Sequence, residues 1–108
     1  MVRLTVVLLT SPRGARKLVE GLRFLIIGTR LEDGCLGCSV WSDPDSTVNY
    51  FDEWATEADI RRRIRSEEFK SLLAVMEASQ EPPQVRFDFL TGTRGFEYIA
   101  EILQDGGK

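Results

Sequence analysis

The chain has 108 residues, of which 43% are hydrophobic and 29% charged. This is the size and make-up of a single globular domain and excludes a disordered or collagen-like chain. The net charge of −3 argues against a nucleic-acid binder, and the complete lack of histidine excludes a Ser-His-Asp or Cys-His pair, a histidine-ligated haem and a histidine-bound zinc.

The apolar runs Val6–Leu9 and Phe24–Ile27 fall far short of the roughly 18–20 residues of a membrane span. The start, Met1-Val2-Arg3-Leu4, passes straight into a strand-like pattern without the apolar region and small-residue site of a cleavable signal. A cytoplasmic protein with no membrane or nucleic-acid partner is expected.

Residues 3–9 read as a first strand. Ser11-Pro12 gives an N-cap followed by proline at the first helical position. Ala15, Leu18, Val19, Leu22, Leu25 and Ile26 then follow helical spacing. Phe24 and Ile27 fall off this stripe, which predicts a contact outside the helix's own core. Asp33-Gly34 closes the segment. Residues 35–42 read as a second strand carrying both cysteines, Cys35 and Cys38. On a regular strand this spacing puts them on opposite faces, as two small apolar residues rather than a redox pair or half a metal site. Asp43-Pro44-Asp45-Ser46 is a turn, and residues 47–54, β-branched and aromatic, are the third strand.

Thr56 caps the next helix, with Glu57 and Asp59 in its first turn. Ile60, Ile64, Phe69, Leu72, Leu73 and Met76 form the apolar face. Ser66 before Glu67-Glu68 looks like a second cap, predicting a break there. The Arg61-Arg62-Arg63-Ile64-Arg65 run pairs on paper as Glu57–Arg61, Asp59–Arg63 and Arg63–Glu67, a self-paired solvated face rather than a nucleic-acid surface. Glu81-Pro82-Pro83 ends the helix. Residues 85–90 alternate as a fourth strand, and Thr91-Gly92-Thr93 breaks it. Phe96, Ile99, Ala100 and Leu103 mark a short last helix. One domain over residues 1–104 is expected, with 105–108 as a flexible tail.

The order is β-α-β-β-α-β with an extra C-terminal helix. It predicts the α+β, ferredoxin-like arrangement of a four-stranded antiparallel sheet with helices on one face. Tyr50, Asp52 and Trp54 share one face of the third strand; Asn49, Phe51 and Glu53 share the other. Val85, Phe87 and Phe89 share a face of the fourth. Large apolar groups therefore fall on both sheet faces. The face without helices is expected to meet a second copy in a homodimer, or a ligand.

The stretch Phe51-Asp52-Glu53-Trp54-Ala55-Thr56-Glu57-Ala58-Asp59-Ile60, followed by Arg63, Ser66, Glu68 and Phe69, resembles the core motif of the antibiotic biosynthesis monooxygenase family. That family lies in the dimeric α+β barrel superfamily. Asp33-Gly34-Cys35-Leu36-Gly37 is similar to the family's Gly-Cys-Leu-Gly approach to the second strand. The likeness covers nearly the whole chain. Arg63 and Glu68 stand where the family often has helix histidines, and the first strand lacks the asparagine of haem-degrading relatives. The resemblance implies oxygenation of a quinol or phenolic aromatic by dioxygen, without metal, flavin or other cofactor. A phenolate can itself pass an electron to dioxygen, so the protein need only bind, desolvate and stabilise the anion.

Asp52, Trp54 and Arg63 are the candidate catalytic residues: a proton acceptor if burial raises its pKa, an aromatic wall, and a fixed cation. Tyr50, Phe69 and Arg86 are candidate substrate-binding residues. Each has a plainer reading. Trp54 suits core or interface packing, Asp52 suits a helix cap or a backbone N–H acceptor, and Arg86 suits a surface charge beside Asp88. A non-catalytic dimer that binds a small hydrophobic ligand is the alternative function.

Overall fold

The computed structural model describes residues 1–79 and 81–105. Its elements are β1 (Val2–Leu9), α1 (Pro12–Arg30), β2 (Cys35–Ser42), β3 (Thr47–Trp54), α2 (Glu57–Ile64), α3 (Glu67–Ala78), β4 (Gln84–Phe89), β5 (Gly92–Arg94) and α4 (Glu97–Asp105). The sheet runs β2-β3-β1-β4-β5, and every neighbouring pair is antiparallel. This is the expected ferredoxin-like α+β arrangement with one addition. The segment read as a break after the fourth strand turns back and pairs Gly92–Arg94 with Phe87–Phe89. Three residues are too few to show a period of two.

Helix boundaries follow from caps. Ser11 Oγ accepts from the Gly14 N–H at 3.0 Å, with Pro12 just inside α1. Thr56 and Asp59 form a reciprocal capping box at the start of α2. Ser66 Oγ accepts from Phe69 N at 3.2 Å and starts α3 after the predicted break. Gly34, with φ +84°, sits where a Cβ would strike the Asp59 carboxylate. Only glycine allows the turn before β2 to close against the capping box.

The core lies between the sheet and the helices. Val2, Leu4, Val6 and Leu8 of β1 are buried beneath Val19, Leu22 and Ile26 of α1 and Phe69, Leu72 and Met76 of α3. Phe24 and Ile27, off the buried stripe of α1, are exposed at 81% and 64%.

Several expectations need correction. Register places Phe87 beside Leu4, which also faces Asp52. Phe87 therefore joins Tyr50, Asp52 and Trp54 under the helices, with Val85 and Phe89 on its strand face. The open face keeps Val7, Trp41 and Phe51 among Arg3, Thr5, Asn49, Glu53, Arg86 and Asp88, and is less apolar than the sequence implied. The cysteines do not oppose each other either. A bulge between Cys35 and Gly37 aligns Cys35 with Trp54 and Cys38 with Asp52, so both turn towards the helices. Both thiols are free. In α4, Tyr98, Ile99 and Ile102 are buried, while Leu103, and Phe96 just before the helix, are each 45% exposed. The expected stripe was one step out of phase: Tyr98 takes the inner face by packing on Phe87 and Phe89, at 4.9 and 5.3 Å between ring centroids. Helix α4 continues through Asp105. The rest of the expected tail, 106–108, lies outside the described residues.

Candidate functional site

Strand β3 delivers Tyr50, Asp52 and Trp54 to the layer between sheet and helices because alternate residues share a face. Asp52 is wholly buried. Its carboxylate accepts from Tyr50 Oη at 2.7 Å and from Trp54 Nε1 at 2.8 Å. Arg63 comes down from α2 and is also buried, at 1% exposure. Its Nε lies 3.5 Å from Asp52 Oδ2, its Nη2 donates to Tyr50 Oη at 3.2 Å, and its Nη1 lies 3.5 Å from Glu32 Oε2. Phe69, from the first turn of α3, places its ring 5.9 Å from the guanidinium. Cys38 Sγ reaches Tyr50 Oη at 3.5 Å.

The inward turn of Arg63 corrects the solvated-face reading of the arginine run. Arg61 pairs with Glu57 and Arg62 with Asp59, both at the surface. Arg63 lies one position beyond that face, above Asp52, and pairs with neither Asp59 nor Glu67. Asp52 is not a helix cap; Thr56 and Asp59 do that work.

Burial raises the Asp52 carboxyl above the usual carboxylate range, against the pull of Arg63 and the bonds from Tyr50 and Trp54. Burial pushes the Tyr50 phenol well up, with the Asp52 charge adding to it. Burial also raises Glu32 against Arg63, and lifts the Cys38 thiol to about 11. Two nitrogens of Arg63, Nε and Nη1, and Glu32 Oε2 are buried without a hydrogen-bond partner. Ion contacts at 3.5 Å do not replace the two short bonds such groups make.

Of the six residues singled out from sequence, the structure brings together Asp52, Trp54, Arg63, Tyr50 and Phe69. Arg86 is elsewhere: it is exposed on the open sheet face and paired with Asp88 at 3.0 Å. Register puts it there, since Arg86 faces Thr5 while the cluster shares the face of Leu4 and Val6. Sequence reasoning missed Glu32 and Cys38. Glu32 sits in the irregular turn after α1, where no periodicity points inward, and the bulge that turns the cysteines leaves no sequence signal beyond Gly37. The cluster is closed, with Trp54, Phe69 and Arg63 at 0–1% exposure; Glu32, whose side chain is 32% exposed, is its most exposed member. Among the described residues no group of three or more Cys, Asp or Glu is placed to hold a metal ion. Among them, too, no helix is long and apolar enough to cross a membrane.

The strand order and the helices on one sheet face give a fold shared with solved antibiotic biosynthesis monooxygenase structures. No family model and no curated protein matches the chain. Solved structures do. An antibiotic biosynthesis monooxygenase structure superposes at TM-score 0.68 with 20% identity, over 82% of this chain and 97% of that one. A Deinococcus radiodurans structure proposed to be such a monooxygenase gives 0.71 with 18% identity, over 82% and 91%. A Mycobacterium tuberculosis protein gives 0.69 with 22% identity, over 82% and 92%.

Proposed function

We propose that the protein is a cofactor-independent monooxygenase acting on a quinol or phenolic aromatic. The observation that supports it is the buried Arg63 guanidinium, two of whose nitrogens make only 3.5 Å ion contacts and no hydrogen bond, set among Tyr50, Trp54 and Phe69. A phenolate entering past the turn at residues 31–34 replaces the Glu32 carboxylate on Arg63. Trp54 and Phe69 are fully buried, so seating the phenolate's ring against them requires that turn to move aside. The dry surroundings and the fixed cation hold the anion, which passes an electron to dioxygen. For a hydroxyanthrone-like substrate, the ring CH2 carbon takes one oxygen atom as a carbonyl. The other oxygen leaves as water with the two hydrogens. Asp52, whose carboxyl burial pushes up, carries the phenol's proton in this reading. In this reading the substrate supplies the electrons, and no metal or flavin is required.

The solution form proposed is a homodimer in which a second copy covers the open sheet face around Trp41 and Phe51. These rings are 6.3 Å apart, and Arg3 stacks 4.1 Å above Phe51. Sedimentation at micromolar concentration is expected to give twice the chain mass; a monodisperse monomer removes this part.

The test of the activity is oxygen uptake with a panel of hydroquinones, naphthohydroquinones and anthrones. One dioxygen consumed per anthrone, at a rate that rises as the phenol ionises, is expected. Rates equal to the spontaneous reaction across the panel refute it. The lack of histidine and the closed cluster favour one second reading, a dimer that binds a small hydrophobic ligand without turnover. Ligand-dependent thermal stabilisation without oxygen uptake distinguishes it.

A further inference from the structure

We propose that the cleft at the far end of the interlayer gap, between the start of α1 and the end of α3, is a separate binding site for an amphipathic carboxylic acid. The proposal goes beyond the monooxygenase reading and does not rest on it. The cavity has a volume of about 840 Å3, within the range of sites for small organic ligands. Leu8, Leu18, Val75 and Ala78 give it an apolar floor and walls. Leu8 is buried, whereas Leu18 and Val75 are only half-buried, so apolar surface faces the opening.

The cleft is distinct from the Arg63 cluster. Asp52 pairs with Leu4, four residues before Leu8 on β1, or about 13 Å along the strand. None of the residues lining the cleft belongs to the cluster.

The polar groups of the cleft are divided between its two walls. On the α1 side are Thr10, Ser11, whose hydroxyl also caps α1, and the exposed Lys17. Among the described residues Lys17 has no carboxylate within ion-pair distance. Arg13 and Arg16 lie on the same two turns, and no acidic residue occurs between Pro12 and Leu18. Gly14 lines this wall, and a Cβ there would strike the Thr10 hydroxyl. The α3 side carries Ser79 and Glu81. A ligand with a long or multi-ring apolar body and a carboxylate fits one way round. Its body lies on Leu8, Leu18 and Val75, and its carboxylate points to Lys17 and away from Glu81.

The experiment titrates the full chain with 2-naphthoate and, separately, with methyl 2-naphthoate, followed by calorimetry and by amide NMR shifts. Naphthoate is expected to bind saturably and more tightly than the ester, with shifts centred on residues 8–18 and 75–79. Lys17→Gln should weaken naphthoate about threefold and leave the ester unchanged, the size of effect a partly exposed ion pair gives. Glu81→Gln should tighten naphthoate by a similar factor. Ala78→Trp, at an exposed wall position, should fill the cleft and abolish both. If that variant fails to fold, the Lys17 and Glu81 pair still decides. Equal affinity for acid and ester with no response to Lys17→Gln overturns the ligand class. Shifts outside the cleft, absence of saturable binding, or binding that survives a folded Ala78→Trp overturns the site.

Discussion

Replacing Arg63 by methionine keeps most of the side-chain volume and removes the charge. Asp52 would then stay at 0% exposure with Tyr50 and Trp54 as its hydrogen-bond donors and without its cation. Breaking a buried ion pair by removing one partner costs about 3–5 kcal/mol. A domain of this size has about 5–15 kcal/mol in all, so at least about a fifth of its stability is at stake. The melting temperature should fall by roughly 15–30 °C. The cost should be greatest near neutral pH and shrink in acid, because protonating Asp52 removes the stranded charge. Each pH unit across that titration is worth about 1.4 kcal/mol. Adding Asp52→Asn to the Arg63→Met chain should recover about 2 kcal/mol at pH 7, since a neutral amide can still accept from Tyr50 or Trp54. Urea unfolding at pH 4.5 and 7.5 for the single and double variants measures all of this. A loss below about 1 kcal/mol for Arg63→Met, the same at both pH values, would refute the claim that a charged Asp52 depends on Arg63.

Four further outcomes are expected. Glu32→Gln removes the carboxylate that competes for Arg63, so a phenolic substrate should show a lower KM in oxygen uptake; an unchanged KM breaks the proposed entry route. Glu32 and Asp52 both bind their protons more tightly folded than unfolded. Their contribution to stability is therefore greatest below the ordinary carboxylate range and declines as pH rises to their raised values; urea midpoints of wild type and Glu32→Gln between pH 3.5 and 7 check the Glu32 share. Gly34→Ala should cost about 1–3 kcal/mol, through a positive φ and a Cβ driven into the Asp59 carboxylate, read as a drop in melting temperature. Cys38, with its thiol pushed up to about 11, should resist iodoacetamide at pH 7.5 until the chain is unfolded in urea.

The elements that repeat a period over several residues were readable from sequence. Strands β2 and β3 match residue for residue, and so does the division of α2 from α3 at Ser66, because caps and turn residues leave local chemical marks. The companionship of Tyr50, Asp52 and Trp54 was equally plain from alternation along one strand. What was not readable depends on contacts between distant segments. Arg63 looked like one more arginine in a solvated run; only the placement of α2 over β3 turns it onto Asp52. Arg86 could be set on the right face only with the pairing of β4 to β1 in hand. Glu32 and the inward-turned cysteines follow from an irregular turn and a bulge. Neither has a period to detect.

The joint at Arg65-Ser66 sets the phase of two helices independently. At about 100° per residue, Arg63 and Phe69 on one unbroken helix would point some 120° apart. Here both are buried against the same sheet. The break resets the count, so the inward direction of α3 is fixed by the joint rather than inherited from α2. Side-chain changes at positions 65 and 66 that keep a cap are therefore mild, while adding or deleting one residue there would rotate α3 and carry Phe69, Leu72 and Met76 out of the core together. Chains of this architecture should vary freely in sequence at the joint and hardly at all in its length.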